Sequence, residues 1–498
     1  MKAFLMYRDR DFDLKQDSPP NAEALIQDLE LRILFNAMAL GDRVLLEVAT
    51  KAVLCSLADG DDVLYRQEIL KDCLKNPSIV RDIYNLAVEA IENERKNFWG
   101  ILSDYPDATL RRSIEVLQMF VGVLGRLRNC AETHAGKFES EGFATLFSML
   151  QRELDDDYFA TIKKHLQQLK FRGGVLISAE LGKGNKGINY VLRKPARRRE
   201  SWIERLMEPK EPSYTYHLHP RDESGAKALG ELNDRGVNLV ANALAQSTDH
   251  IASFFSMLRT ELAFYIGCLN LHGKLAEKGG AISFPVPAHP DDRRHSFNES
   301  YDPCLALTLK QGIVTNDVKA DDKDLMIITG ANQGGKSTFL RCIGVSQLMM
   351  QCGMFVPAKA FSANMCSGVF THFKREEDST MKSGKFDEEL SRMSDIAEII
   401  RPNAMLLFNE SFAATNEREG SEIARQIATA LLDRKIKIFF VTHLYELAHG
   451  FYYKNMKNAI FLRAERQSDG ARTFKLIERE PLSTSYGQDL YSRIFGPS

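Results

Sequence analysis

The segment DLMIITGANQGGKSTFL, residues 324–340, constrains this chain more than any other stretch. An apolar run of strand length leads into Gly330-x4-Gly335-Lys336-Ser337, and a helical pattern follows. A strand that turns on glycines into a helix aims backbone N–H groups at an anion, where the helix N-terminus adds positive potential. The pattern predicts that Gly330, Ala331, Asn332, Gln333, Gly334, Gly335, Lys336, Ser337 and Thr338 surround the phosphates of ATP. Lys336 would reach the β- and γ-phosphates and Ser337 would ligate Mg²⁺. The alternative is a chance glycine turn, which the flanking strand and helix argue against.

Two further apolar runs end in polar tips. AMLLFNES (404–411) reads as a buried strand delivering Asn409 and Glu410 to a sheet edge. Glu410 is the candidate catalytic base for the attacking water. Asn409 stands where a carboxylate usually supports the magnesium shell. An amide oxygen accepts the same hydrogen bond without a charge, so Mg²⁺ would be held loosely and hydrolysis would be slow. A plain buried strand with a capping Asn is the competing reading. IKIFFVTH (436–443) ends in His443, which either bonds the γ-phosphate and reports its loss or, as is usual for a lone histidine after a strand, is structural. Between these runs, SGKFDEELSRMSDIAEII (383–400) puts Phe386, Leu390, Met393, Ala397 and Ile400 on one helical face. Ser383-Gly384 ahead of it is either a second anion cradle, aimed at a partner's ATP, or an ordinary cap.

Residues 20–170 read as successive helices, among them NAEALIQDLELRILFNAMAL, VLYRQEILKDCLKN, SIVRDIYNLAVEAIENERKNFWGIL and TLRRSIEVLQMFVGVLGRL. The period then shifts: residues 173–195 are β-like around a GKGNKG turn, and YTYHLH (214–219) is a candidate third strand. Helix returns over 224–274, and Gly279-Gly280 with SFPVPAHPDD marks a boundary. The expected fold is therefore α/β in two parts. An extended, mostly helical domain (1–282) carries a small basic β insertion at about 171–220, and an α/β nucleotide domain occupies 283–498. The eight cysteines are scattered with no CxxC pair, which argues against structural zinc and disulfides and for reduced thiols in the cytoplasm. No secretory signal and no membrane-spanning run is present in the sequence.

The formal charge of −2 gives no global attraction to nucleic acid. Locally, residues 183–210 hold nine Lys/Arg against three Glu, a net of +6. Lys183, Lys186, Arg193, Lys194, Arg197, Arg198 and Arg199 are the candidate contacts to a DNA backbone, binding independently of sequence and sensitive to salt. A solvated basic loop or a patch for an acidic protein fits the same composition.

Taken in order, these segments resemble the MutS family of DNA mismatch-repair ATPases. IVTNDV, the phosphate-loop segment through MFVPA, VFTHF, the Glu410 strand, FFVTHLYELAH and STSYGQDLYSRIFG follow the family's order over about 300–495. DDVLYRQEILKDCLKNP resembles the family's core and lever region. The resemblance implies an ABC-type P-loop ATPase head, lever helices, and homodimers in which both heads contact each nucleotide. It makes Lys336, Glu410 and His443 the catalytic residues, His443 as the switch histidine, and Ser337 with Asn409 the metal site.

Departures from the family pattern temper this. Asn409 replaces the magnesium-site Asp, SFAATNEREG (411–420) replaces a glycine- and threonine-rich stretch, and Asp387 and Glu388 stand where signature hydroxyls are expected. Acidic groups there would repel a partner's γ-phosphate unless Ser383 takes that role. The chain also reads as a short member, starting at the helical core without the mismatch-reading domain and stopping at Ser498 without a helical tail. The expectation is an ATP-gated DNA clamp selective for structure rather than mispairs. The alternative is a nucleotide-gated scaffold for another protein with little hydrolysis. A transporter head lacks its LSGGQ-like signature, and a chromosome-condensation type of head lacks coiled-coil heptads.

Overall fold

The computed structural model describes residues 1–98, 106–171, 174–193, 218–219, 221–309, 312–375, 384–467 and 471–482. It is a mixed α/β protein, mostly helical, whose twelve described strands form sheets of two, six and four strands. Two compact units divide the chain. One comprises residues 1–3, 81–136 and 145–259, the other 4–80, 137–144 and 260–498.

In the first unit, helices Pro106–His134 and Asp156–Gln168 accompany the N-terminal part of Glu223–Glu277. Strands β1 (Leu176–Leu181) and β2 (Gly187–Arg193) form an antiparallel hairpin. Its turn closes through Gly182 N–H to Lys186 O at 2.8 Å, with Gly184 at φ +69°, a left-handed conformation that favours glycine. The GKGNKG turn expected from sequence is therefore present. The proposed strand over 214–219 falls almost wholly outside the described residues.

The second unit contains β3 (Val286–Ala288), β4 (His295–Ser300), β5 (Asn316–Lys319), β6 (Leu325–Gly330), β7 (Ala360–Asn364), β8 (Val369–Phe373), β9 (Met405–Asn409), β10 (Lys437–Val441), β11 (Ala459–Arg466) and β12 (Arg472–Glu478). The six-stranded sheet runs β12-β11-β6-β10-β9-β8, parallel from β11 to β8, with β12 antiparallel at one edge. Strands covered on both faces read as unbroken apolar runs. Leu325, Ile327, Leu406, Phe408, Ile438 and Phe440 face a core shared with helices Lys385–Ile399, Glu417–Asp433 and Tyr445–Tyr453. Leu407 faces the other way, against helix Lys336–Gln351: a Cβ on Gly344 would lie 2.6 Å from Leu407 Cδ1. Glycine at that position permits the close approach of helix and sheet.

Contacts do not follow a single cut near residue 282, because the segment 4–80 packs on this same sheet unit. Leu57 N–H donates to Gln351 O at 2.8 Å, and the fully buried Arg66 donates to Met6 O and Cys352 O. Asn21 Nδ2 donates to Val369 O at 2.7 Å, giving the edge strand β8 a partner that an open edge would lack.

The run over 21–40 expected as one helix is two, Ala22–Asp28 and Leu31–Ala39. Glu30 sits between them at φ +53°, its carboxylate paired with Arg341. Leu29 is buried against the surface opened by Gly344. Tertiary contacts override local helix periodicity there. Helix Lys385–Ile399 also differs from its expected face: Met393 and Ile396 are buried, Phe386 and Leu390 flank them, and Ala397 is exposed.

Candidate functional site

The site assembles where β6, β9 and β10 end. These strands are neighbours, and the register sets Val441 beside both Ile328 and Asn409, so one edge carries the tips of all three. Carboxyl ends of parallel strands are where open α/β sheets bind ligands. After β6 the backbone turns through Gly330 at φ +110°, Gln333 at φ +58° and Gly335 at φ +88°, and the helix begins at Lys336. Gly330 admits no side chain: a Cβ would lie 2.9 Å from the backbone nitrogen of Ala464. Lys336 is buried and folds back, donating from Nζ to Gly330 O at 3.0 Å and Ala331 O at 2.9 Å. Burial pushes its ammonium down to about 8, against the attraction of Glu410.

Two side-chain pairs complete the edge. Ser337 Oγ donates to Asn409 Oδ1 at 2.9 Å, which leaves the hydroxyl lone pairs for a cation. Glu410 Oε1 lies 2.9 Å from His443 Nε2. That hydrogen bond holds the Glu410 carboxyl below its ordinary range, opposed by partial burial and assisted by Lys336. The predicted residues Gly330 to Thr338, Asn409, Glu410 and His443 therefore come together.

A cavity of about 510 Å³ opens beside the loop, within the size range of small-molecule sites. Its walls include Asn332 to Thr338 and Glu410, together with Tyr301, Leu305, Leu309, Val314 and Phe474. The sequence reading missed this second group. These are ordinary apolar residues with no fixed spacing, gathered from a short helix, a loop and β12. Phe474 alone is marked, by φ +59° and by its place against Gly335.

The donor set suits a hard cation. Ser337 and Asn409 offer neutral oxygens, and Mg²⁺ usually takes one or two protein ligands with phosphate and water supplying the rest. Among the described residues no cluster of three or more His, Cys, Asp or Glu competes for a metal. Lys183, Lys186 and Arg193 lie in the other compact unit, exposed on the β1–β2 hairpin, with Arg193 Nε donating to Ser178 Oγ. Lys194, Arg197, Arg198, Arg199 and Ser383 lie outside the described residues. Among the described residues no helix is long and apolar enough to cross a membrane.

Fold and site together define a mixed α/β protein with a glycine-rich loop of the phosphate-binding pattern at the end of a largely parallel sheet. Comparison with known proteins makes this specific. The family model for the MutS2 N-terminal domain matches residues 58–278, and that for MutS domain V matches residues 326–498. The chain belongs to the MutS family of mismatch-repair proteins. It is 28% identical over 222 residues to the DNA mismatch repair protein MutS of Methanococcoides burtonii, covering 43% of this chain and 25% of that protein. It is 32% identical over 188 residues to the MutS of Leptospira interrogans, covering 36% and 22%. Against MutS protein homolog 4 of Homo sapiens it is 26% identical over 242 residues, covering 48% and 25%. The matched stretch thus spans about a quarter of each relative's length.

Proposed function

We propose that this chain is an ATP-dependent DNA-binding protein of the mismatch-repair and recombination type, in which ATP binding and slow hydrolysis gate a dimeric clamp selective for DNA structure. The observation that carries the reading is the convergence of Lys336, the Ser337–Asn409 pair and the Glu410–His443 pair on one sheet edge beside a cavity. The wall of Tyr301, Leu305, Val314 and Phe474 suits the apolar faces of a nucleoside. Lys336 exchanges its two carbonyl partners for β- and γ-phosphate oxygens. Ser337 and Asn409 would hold Mg²⁺, which supplies charge neutralisation at the phosphates. Glu410 stays ionised beside His443, and a carboxylate of lowered pKa orients water better than it removes a proton. That weakness and the uncharged Asn409 both favour slow turnover.

In this reading residues 283–498 act as an ABC-type head, the helical region within 1–282 acts as levers, and two heads pair across their nucleotides in a cytoplasmic homodimer. The basic segment containing Lys183, Lys186 and Arg193 grips the DNA backbone. The test is binding to perfect, mismatched and branched duplexes with ADP and ATP, alongside turnover with and without DNA. Charge reversal at Arg197, Arg198 and Arg199 should abolish DNA retention and spare nucleotide binding. Retention unchanged by that reversal refutes the clamp. Asn409 also favours a second reading, a nucleotide-gated scaffold for a protein partner. ATP binding without DNA-stimulated turnover would select it.

A further inference from the structure

Glu410 has a backbone that a non-glycine residue adopts at a cost. It lies at φ +55° and Phe412 at φ +62°, with the fully buried Ser411 between them. Each such conformation is disfavoured for a side chain with a Cβ and persists where surrounding contacts impose it. Glu410 N–H donates to Val441 O at 2.9 Å, which fixes one side of the turn.

The other side rests on His372 of β8, a residue the nucleotide chemistry above leaves unused. Its Nδ1 lies 2.7 Å from Ser411 Oγ, and Ser411 Oγ also donates to the His372 carbonyl. Its ring stacks on Phe412, centroids 5.2 Å apart at 15°. Its Nε2 lies 2.9 Å from the main-chain oxygen of Glu389, in helix Lys385–Ile399. A carbonyl only accepts, so Nε2 carries a proton. Burial, with Arg392 nearby, pushes the imidazole down to about 4, so Nδ1 is bare at neutral pH. The single Ser411 proton is then directed at Nδ1, with the His372 carbonyl close enough to share it, and the hydroxyl is pinned between two acceptors. Helix Lys385–Ile399 is tied once more to the same turn and once to β8. The Phe412 backbone hydrogen-bonds the Glu389 carboxylate, and Arg392 Nη1 donates to Phe373 O at 3.1 Å.

We infer that His372 and Ser411 are positioning residues for Glu410, transmitting the placement of helix Lys385–Ile399 to the carboxylate at the end of β9. This rests on the hydrolysis reading above. A shift of the helix moves Glu389, and through His372 and Ser411 it reaches the backbone that aims Glu410. The rigid link is short: helix carbonyl, imidazole, hydroxyl, turn.

The test uses the full chain, a fluorescent ATP analogue for Kd, and steady-state phosphate release with Glu410→Gln as the blank. Ser411→Ala and His372→Phe should each lower kcat roughly ten- to a hundredfold, the scale of a misplaced catalytic group. Nucleotide Kd should stay within about twofold, since transition-state positioning and not ground-state binding is lost. The double variant should fall no further than the worse single, as residues in one chain of contacts are non-additive. Wild-type turnover no higher than the blank overturns the hydrolysis reading and this inference with it. Wild-type turnover above the blank, with both single variants at wild-type kcat, overturns the relay alone. So do losses that track Kd or multiply in the double variant. If His372→Phe does not fold, Ser411→Ala decides, with an unchanged Tm excluding general destabilisation.

Discussion

The buried carboxyl of Glu261 makes stability depend on pH in a calculable way. Glu261 is fully buried and accepts Leu5 N–H at 2.6 Å and Phe12 N–H at 3.0 Å, clamping the N-terminal segment beside Tyr265 and Arg66. Burial outweighs those hydrogen bonds and raises its pKa from 4.5 to about 7. The folded state therefore holds this proton more tightly than the unfolded chain does. The contribution is fully present below pH 4.5, is lost as pH rises to about 7, and is absent above that. At about 1.4 kcal/mol per pH unit, the interval from 4.5 to about 7 amounts to about 3 kcal/mol. Glu261→Gln removes the titration at the cost of one backbone hydrogen bond, because an amide accepts through a single oxygen. That cost is independent of pH and cancels when wild type and variant are compared across pH. The assay is urea unfolding of both proteins at pH 5, 6, 7 and 8. The difference between them should move by up to about 3 kcal/mol in the variant's favour as pH rises. Parallel stability curves would refute the assignment of a raised pKa to Glu261.

Other expectations concern the nucleotide edge. Glu410→Gln should keep nucleotide binding and lose about a hundredfold in phosphate release, the scale of a lost water-orienting group; equal rates would remove Glu410 from the chemistry. Asn409→Asp puts a charge beside Ser337 and should lower the Mg²⁺ concentration for half-maximal nucleotide binding, read by titration. No change there would place the metal elsewhere. Gly330→Ala forces a side chain onto the Ala464 backbone at φ +110° and should abolish nucleotide retention while circular dichroism stays that of the folded protein. Retention at wild-type affinity would mean that the loop has another geometry.

The strand–loop–helix around Gly330, the GKGNKG turn and the polar tips of β9 and β10 were legible because each is local. Glycine at positive φ, apolar runs of strand length and a helix start leave their marks on consecutive residues. The grouping of Ser337 with Asn409 and of Glu410 with His443 rested on the general pattern of nucleotide sites and then on the family resemblance, since no spacing in one dimension brings residues 72 and 33 positions apart into contact. The break at Leu29–Glu30, the cavity wall around Tyr301 and Phe474, and the His372–Ser411–Glu389 link had no such mark. Glu261 on a helical run could not be told from a solvated acid until residues 5 and 12 were found against it.

Local features confined to a few neighbouring residues were thus set by the sequence alone: a glycine-rich turn of the phosphate-binding pattern, and carboxylate and imidazole at strand ends. The packed structure decided which strands stand side by side, which helix supports the Glu410 turn, and that residues 4–80 join the sheet unit. The reason is that burial and hydrogen-bond satisfaction depend on neighbours in space, and those neighbours are chosen only when the chain closes on itself.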